Sequence, residues 1–405
     1  MLLLACVNSP IFTLSSIFII PVSSELGISR AVFSMHMMIS NFGSMLGSLL
    51  AGSILRRVPA RKLVLVALVF SAACFIGYAR ALSVWVFYIC SFVLGFCYIA
   101  VSNVTVSVFV TNWFPESLRG KAMGIAACGS GIGSFVLLPI VGHVVSSFGW
   151  RIAYAGFAGM ILFLAFPIVL LFFSPSPEER HLVKMPEDGA CRVYSGEGMT
   201  REEAIRTPSF WLLILFSALA ATASLFNTTG YSYFCDIGIS PAQASWLMSV
   251  ASGVLIGAKI LLGAVCDRYG AKKGSVAAGI CFFLAYTFAL SAAGMHVLAV
   301  PTVLFFGMGN AVTTVALPLL VTECFGEKEY SSLIGIFFIG NYAGSGFGPV
   351  LASAIFDHSG SYTGALKLSM VLTMVMVGIV LLLENYAKQG TRRRVIDSIP
   401  TAVNE

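Results

Sequence analysis

Apolar residues run in long unbroken stretches along this chain, and charged residues gather in the gaps between them. A run of about 20 apolar residues is what an α-helix needs to cross the hydrocarbon core of a bilayer. Such runs fall at 1–22, 31–55, 63–79, 84–111, 122–146, 152–173, 210–234, 242–265, 275–293, 297–322, 331–356 and 363–385, and they predict twelve transmembrane helices. They are continuous rather than alternating, which excludes a transmembrane β-barrel. Only the gap at 174–208 is long. It holds Pro175, Pro177 and Pro186 among mixed charges and reads as a flexible linker, ending in a short amphipathic helix over 200–207. The predicted organisation is an N-terminal six-helix bundle over 1–173, a cytoplasmic linker over 174–208, a C-terminal six-helix bundle over 209–386 and a cytoplasmic tail over 387–405.

Composition agrees with this pattern. Of 405 residues 58% are hydrophobic and 10% charged, with a mean hydropathy of +0.91. Soluble domains carry about 25% charged residues, so this surface is not built for water, and disorder, coiled coil and nucleic-acid binding are excluded. The net charge of +6 follows topology. Nineteen of the 24 Lys and Arg lie after even-numbered runs or in the tail, and four (Arg30, Arg80, Arg151, Lys367) lie on the other side. Positive charge marks the cytoplasmic side, so both termini are expected there, in a multi-pass plasma-membrane protein. The remaining cation is Lys259, inside the eighth run. No basic n-region precedes the first run, which is expected to be a retained helix rather than a signal peptide. The ten cysteines are scattered with no metal-ligand spacing and read as packing residues; no metal or cofactor is expected.

The chain also repeats itself. An ungapped offset of 211 positions lays Gly27-Ile28-Ser29 on Gly238-Ile239-Ser240, Gly52, Arg57 and Lys62 on Gly263, Arg268 and Lys273, and Phe114 and Glu116 on Phe325 and Glu327. The same offset pairs Gly124, Gly129, Gly133 and Gly149 with Gly335, Gly340, Gly344 and Gly360. Clustering at equivalent loops, rather than the number of identities, is the informative part. Two parallel six-helix repeats with a midplane site between them are one common plan of secondary transporters.

Gly263-Ala-Val-Cys-Asp267-Arg268-Tyr-Gly270-Ala-Lys272-Lys273 resembles the G-x-x-x-D-R-x-G-x-K-K loop of the major facilitator superfamily. The first-half copy, from Gly52 to Lys62, has Arg56 in place of the acid and Pro59 in place of the second glycine. Three segments resemble the monocarboxylate and oxalate/formate exchanger branch: Asn112-Trp113-Phe114-Pro115 running into Arg119-Gly120-Lys121, Thr207-Pro208-Ser209-Phe210-Trp211, and Gly257-Ala258-Lys259. The resemblance implies an all-α fold of twelve helices in two six-helix repeats, and alternating access. It implies that Lys259 stands where the branch commonly has a carboxylate-binding arginine, and that Gly263, Asp267, Arg268, Gly270 and Arg119 belong to the gating loops. Lysine offers a point charge where arginine offers a bidentate fork. The branch's oxalate exchangers also carry a second cation in span eleven, and here that span has none. A monoanion therefore fits better than a dianion.

Lys259 lies eight residues before Asp267, about 12 Å inside the helix end at 1.5 Å per residue. An ionisable group at that depth is a functional candidate; a snorkelling structural lysine is the other reading. Its repeat counterpart is Ser48. Asn103, Asn227, Tyr231, Asn310 and Asn341 could orient a ligand or equally bond helix to helix. No carboxylate lies at mid-span, which argues against proton-driven sugar and cationic-drug carriers. His36 and His143 could titrate or be structural. Gly129/Gly133 and Gly340/Gly344/Gly348 could serve rocking or static packing, and Pro139 and Pro349 allow bends. Trp85, Trp113, Trp150, Trp211 and Trp246 fall near span ends as an aromatic belt would. The expected function is transport of a small organic anion, with the bilayer and a coupling proton or counter-substrate as partners; no enzyme chemistry is expected. A carrier or efflux pump for neutral or amphipathic solutes, with Lys259 structural, and a non-transporting membrane sensor are the alternatives.

Overall fold

The computed structural model describes residues 3–98, 100, 116–172, 199–326 and 330–397. Among these residues, nine helices are long and apolar enough to cross a membrane. A bent pair, Ala5–Thr13 and Ser15–Leu26, meeting at 50°, makes a tenth if taken as one span. The second and fourth apolar runs are also helical, over Arg30–Arg57 and Val84–Tyr98. The fold is all-helical, with consecutive helices alternating direction through short turns. The described end of the linker, 199–207, and 270 lie on one face, and the turns at 27–29, 149, 237–240 and 360–362 lie on the opposite one.

The repeat has a backbone cause. Gly27 and Gly238 have φ of 63° and 92°, and Gly149 and Gly360 have 85° and 69°. Each lies just past a helix in a region closed to most L-residues, so glycine recurs at 211 positions. Gly270, at φ 90°, breaks the pattern. Its counterpart Pro59 has φ −55°, so the two copies of this loop turn differently.

The recurring glycines at four-residue spacing pack within each half. A Cβ on Gly340 would lie 2.8 Å from the Ile214 carbonyl oxygen, and one on Gly344 would collide with the Ala218 carbonyl. In the first half a Cβ on Gly133 would lie 2.6 Å from the Ala5 Cα. Removing side chains brings two backbones together where lipid offers no hydrophobic drive for association. These contacts tie span five to span one and span eleven to span seven, so they hold each half together. The helices continue through Pro139 and Pro349.

The spans break elsewhere. Span one changes from a π-helix over Leu4–Thr13 to an α-helix at Ser15, and span seven stops at Ala223 and restarts at Phe226. Leu14 and Leu225, at these breaks, are 211 positions apart. Span ten breaks after Asn310 into a 3-10 turn, Ala311–Thr313, before Ala316–Phe325. Its counterpart, span four, is helical to Tyr98 and has Ala100 in a 3-10 turn.

A broken helix frees backbone groups, which in a bilayer must find partners inside the protein. Hydroxyls supply them here. Ser15 donates to the Ile11 carbonyl at 2.7 Å, and Thr228 and Thr229 both donate to the Leu225 carbonyl, at 2.8 and 3.0 Å. Tyr286, from span nine, donates to the Ala223 carbonyl. In span ten Thr313 donates to Asn310 at 3.2 Å.

Candidate functional site

Besides the contact of spans one and seven, two seams join the halves, and both begin at the face opposite the linker. Along spans two and eleven, Asp357 meets Arg30 and Ala31, the Ser34 and Ser353 hydroxyls are 2.8 Å apart, and a Cβ on Gly346 would lie 3.3 Å from the Met38 Cα and Asn41 Cβ. Deeper still, the Tyr342 hydroxyl faces Ser48. Along spans five and eight, Gly142 abuts Ser245, Ser249 donates to the Phe135 carbonyl at 2.5 Å, and a Cβ on Gly131 would lie 2.7 Å from Ile256. At the deep end Cys128 lies within electrostatic reach of the Lys259 ammonium.

The seams thus run to equivalent depths, ending at Ser48 and Lys259. Ser48 lies 18 residues after Arg30 and nine before Arg57, about 27 and 14 Å of helix from the two ends of a span longer than the core of about 30 Å, so that end of the seam is inside the bilayer. Lys259 is half-buried and forms no ion pair or hydrogen bond with any other described residue. A cation at that depth with no carboxylate partner among the described residues can accept a mobile anion.

The other predicted residues divide. Asn310, 8% exposed, ends the first piece of span ten, and half-buried Asn227 lies in the first turn of the second piece of span seven. Phe226 and Phe306, beside and one turn before them, have ring centroids 5.2 Å apart, so the two breaks lie close together. Tyr231 is buried with its hydroxyl beside Cys235. Asn341 is half-buried and adjoins Tyr342, the residue of that turn which faces the other half. Asn103 lies outside the described residues, as does the side chain of Arg119, whose backbone is helical.

At the linker face Asp267 and Arg268 are exposed and neither forms an ion pair among the described residues. Glu323 takes the local charge contacts instead. It accepts from the Ala271 N–H at 3.0 Å and pairs with Lys272 at 3.4 Å. Both join span ten to the loop after span eight, within one half. Gly270 provides the left-handed turn, and Gly263 is half-buried, with open space for 4 Å around the place a Cβ would take.

His36 is buried, its Nδ1 2.6 Å from the Phe33 carbonyl, among Phe33, Tyr78 and Phe87, as a structural histidine would be. Trp85, Trp211 and Trp246 are exposed, as a belt requires, whereas Trp150 is 3% exposed and donates to Glu25 at 2.5 Å.

The family follows from the whole chain. The sequence pattern of the Major Facilitator Superfamily matches residues 1–236 and 232–402. The chain belongs to the major facilitator superfamily. Within it, the chain is 27% identical over 304 residues to human monocarboxylate transporter 12, covering 67% of this chain and 58% of that one. It is 27% identical over 261 residues to the oxalate:formate antiporter of Oxalobacter formigenes, covering 63% and 59%. The chain therefore spans about three-fifths of the length of these curated relatives. The nucleoside transporter NupG has the same fold, with a TM-score of 0.74 at 13% identity, covering 94% of this chain and 99% of that one. These superfamily relatives are membrane transporters and not enzymes.

Arg30, Asp236, Asp357, Ser48 and Tyr342 carry cross-half contacts that sequence reading did not single out as a site. The offset paired Lys259 with Ser48, and it also aligned Asp236 with Glu25. It could not say that Asp236 reaches across the halves.

Proposed function

We propose that this chain is a secondary transporter that moves a small organic anion, a monocarboxylate, across the plasma membrane by alternating access. It has twelve spans in two six-helix bundles, 1–173 and 209–386, with the linker and both termini on the cytoplasmic side. The observation that carries the reading is Lys259, half-buried at the deep end of the seam between spans five and eight with no described carboxylate to neutralise it. An ammonium in such a place offers one unit of charge without a bidentate fork, which suits a monoanion. Asn227 and Asn310, at adjoining helix breaks, orient the bound anion through amide donors and freed backbone groups. Kinship with a monocarboxylate transporter and an oxalate:formate antiporter supports this substrate class.

The linker-face loop, with Gly263, Asp267, Arg268, Gly270 and Arg119, is assigned to closing the cytoplasmic side in the alternate state. Asp267 is exposed and forms no ion pair among the described residues in the present conformation. A carboxylate that finds its partner only after the halves move biases one of two states.

The test is uptake by proteoliposomes of labelled lactate, pyruvate, formate and oxalate beside neutral solutes, with and without an imposed proton gradient. Saturable uptake of a monocarboxylate supports the proposal. Uptake confined to neutral solutes returns Lys259 to a structural role, and no counterflow of any solute favours a sensor.

A further inference from the structure

We propose that Arg30, Asp236 and Asp357 form a latch that closes the face opposite the linker, and that the structure captures the latched state. The Arg30 guanidinium makes a bidentate pair with Asp236, Nη1 to Oδ2 at 2.5 Å and Nη2 to Oδ1 at 2.9 Å. It lies 3.8 Å from the centroid of the Phe356 ring and within 3.5 Å of the Tyr362 hydroxyl. Asp357 accepts from the backbone N–H groups of Arg30 at 3.2 Å and Ala31 at 2.8 Å, capping the N-terminus of the span-two helix. One residue of the first half is thus held by acids from two helices of the second.

Isolated surface ion pairs contribute little, but this one has fork geometry, a cation–π contact and low exposure, 15% for Arg30 and 26% for Asp236. The repeat shows that the reach across halves is specific to it. The counterpart of Asp236 is Glu25, which accepts from Trp150 and Arg151 of its own half. Beneath the latch the Ser34–Ser353 contact continues the closure inward. Among the described residues at the linker face, Arg61 to Leu170 and Lys272 to Glu323 each stay within one half, and Met199 to Phe325 ties the end of the linker to the second half. Opening this side therefore requires the Arg30 contacts to break, and their strength sets the balance between the two states.

The test places a cysteine at Ser353, which is fully buried behind the latch. Its labelling by a maleimide is timed in nanodiscs, where both faces are accessible, against the native-cysteine background. Asp236→Asn is expected to speed labelling about tenfold, the worth of a hydrogen bond to a charged group. Arg30→Lys, which keeps the charge but loses the fork, is expected to give a smaller increase. The exchange Arg30→Asp with Asp236→Arg is expected to recover part of the slow rate, showing that pairing rather than misfolding is responsible. As an independent readout, the Ser34→Cys/Ser353→Cys pair is expected to cross-link under mild oxidant and to lose that cross-link when Asp236→Asn is added. Labelling and cross-linking unchanged by Asp236→Asn and Arg30→Lys would overturn the proposal.

Discussion

Lys259 and Ser48 occupy equivalent positions at the deep ends of the two seams between the halves. Opposite Ser48 stands the Tyr342 hydroxyl, and Cys128 lies within electrostatic reach of Lys259. Among the described residues, the two halves match in backbone at this depth and differ in charge. Under the proposed function that asymmetry suits a monoanion, because a second cation would favour a dianion.

The Tyr342 hydroxyl links the halves at the level of Lys259, so Tyr342→Phe is expected to alter transport more than folding. A neutral hydrogen bond contributes about 1 kcal/mol, roughly a fivefold change in an equilibrium. Initial uptake rates should shift by up to that factor while the thermal unfolding midpoint in detergent moves little.

Asn310→Ala and Asn227→Ala remove amides beside the two helix breaks. Each is expected to raise KM for a monocarboxylate about tenfold or more, the loss of one hydrogen bond to a charged group, with the maximal rate less affected. Concentration-dependent uptake separates the two parameters.

The glycine contacts within each half should govern stability rather than exchange. Gly344→Val drives a branched side chain into the Ala218 backbone and is expected to destabilise by roughly 1–3 kcal/mol. Gly378→Ala meets nothing within 4 Å and should leave the midpoint unchanged or slightly raised, since alanine favours a helix over glycine. Thermal unfolding of the purified variants checks both.

Much of this architecture was legible in the sequence because a bilayer leaves few alternatives. Long apolar runs must be helices, and the glycines at 27, 149, 238 and 360 recur because the same left-handed turns recur. The helix breaks were not legible. Pro139 and Pro349 mark no break, whereas Leu14 and Leu225 do, because serine and threonine hydroxyls nearby satisfy the freed carbonyls. Lys259 could be singled out since topology does not account for it. Arg30 could not, because a cation at a helix start looks the same whether it faces water or two aspartates from the other half. Trp150 likewise matches an interfacial anchor until its buried contact with Glu25 is seen.

Glu25 provides the matched control for the latch. Glu25→Gln weakens an ion pair inside the first half and should lower the unfolding midpoint by about a degree, in line with about 1 kcal/mol for a partly exposed pair. Maleimide labelling of Ser353→Cys should stay at the parent rate, since no cross-half contact is lost.

The proposed mechanism rests above all on Lys259 neutralising the carboxylate of the transported anion. The sharpest check is uptake of a labelled monocarboxylate by proteoliposomes containing the parent chain, Lys259→Arg or Lys259→Gln, matched for protein content. Saturable uptake is expected from the parent, reduced but measurable uptake from Lys259→Arg, and background uptake from Lys259→Gln with an unfolding midpoint at or above that of the parent. Uptake by Lys259→Gln equal to the parent's would contradict this role for Lys259.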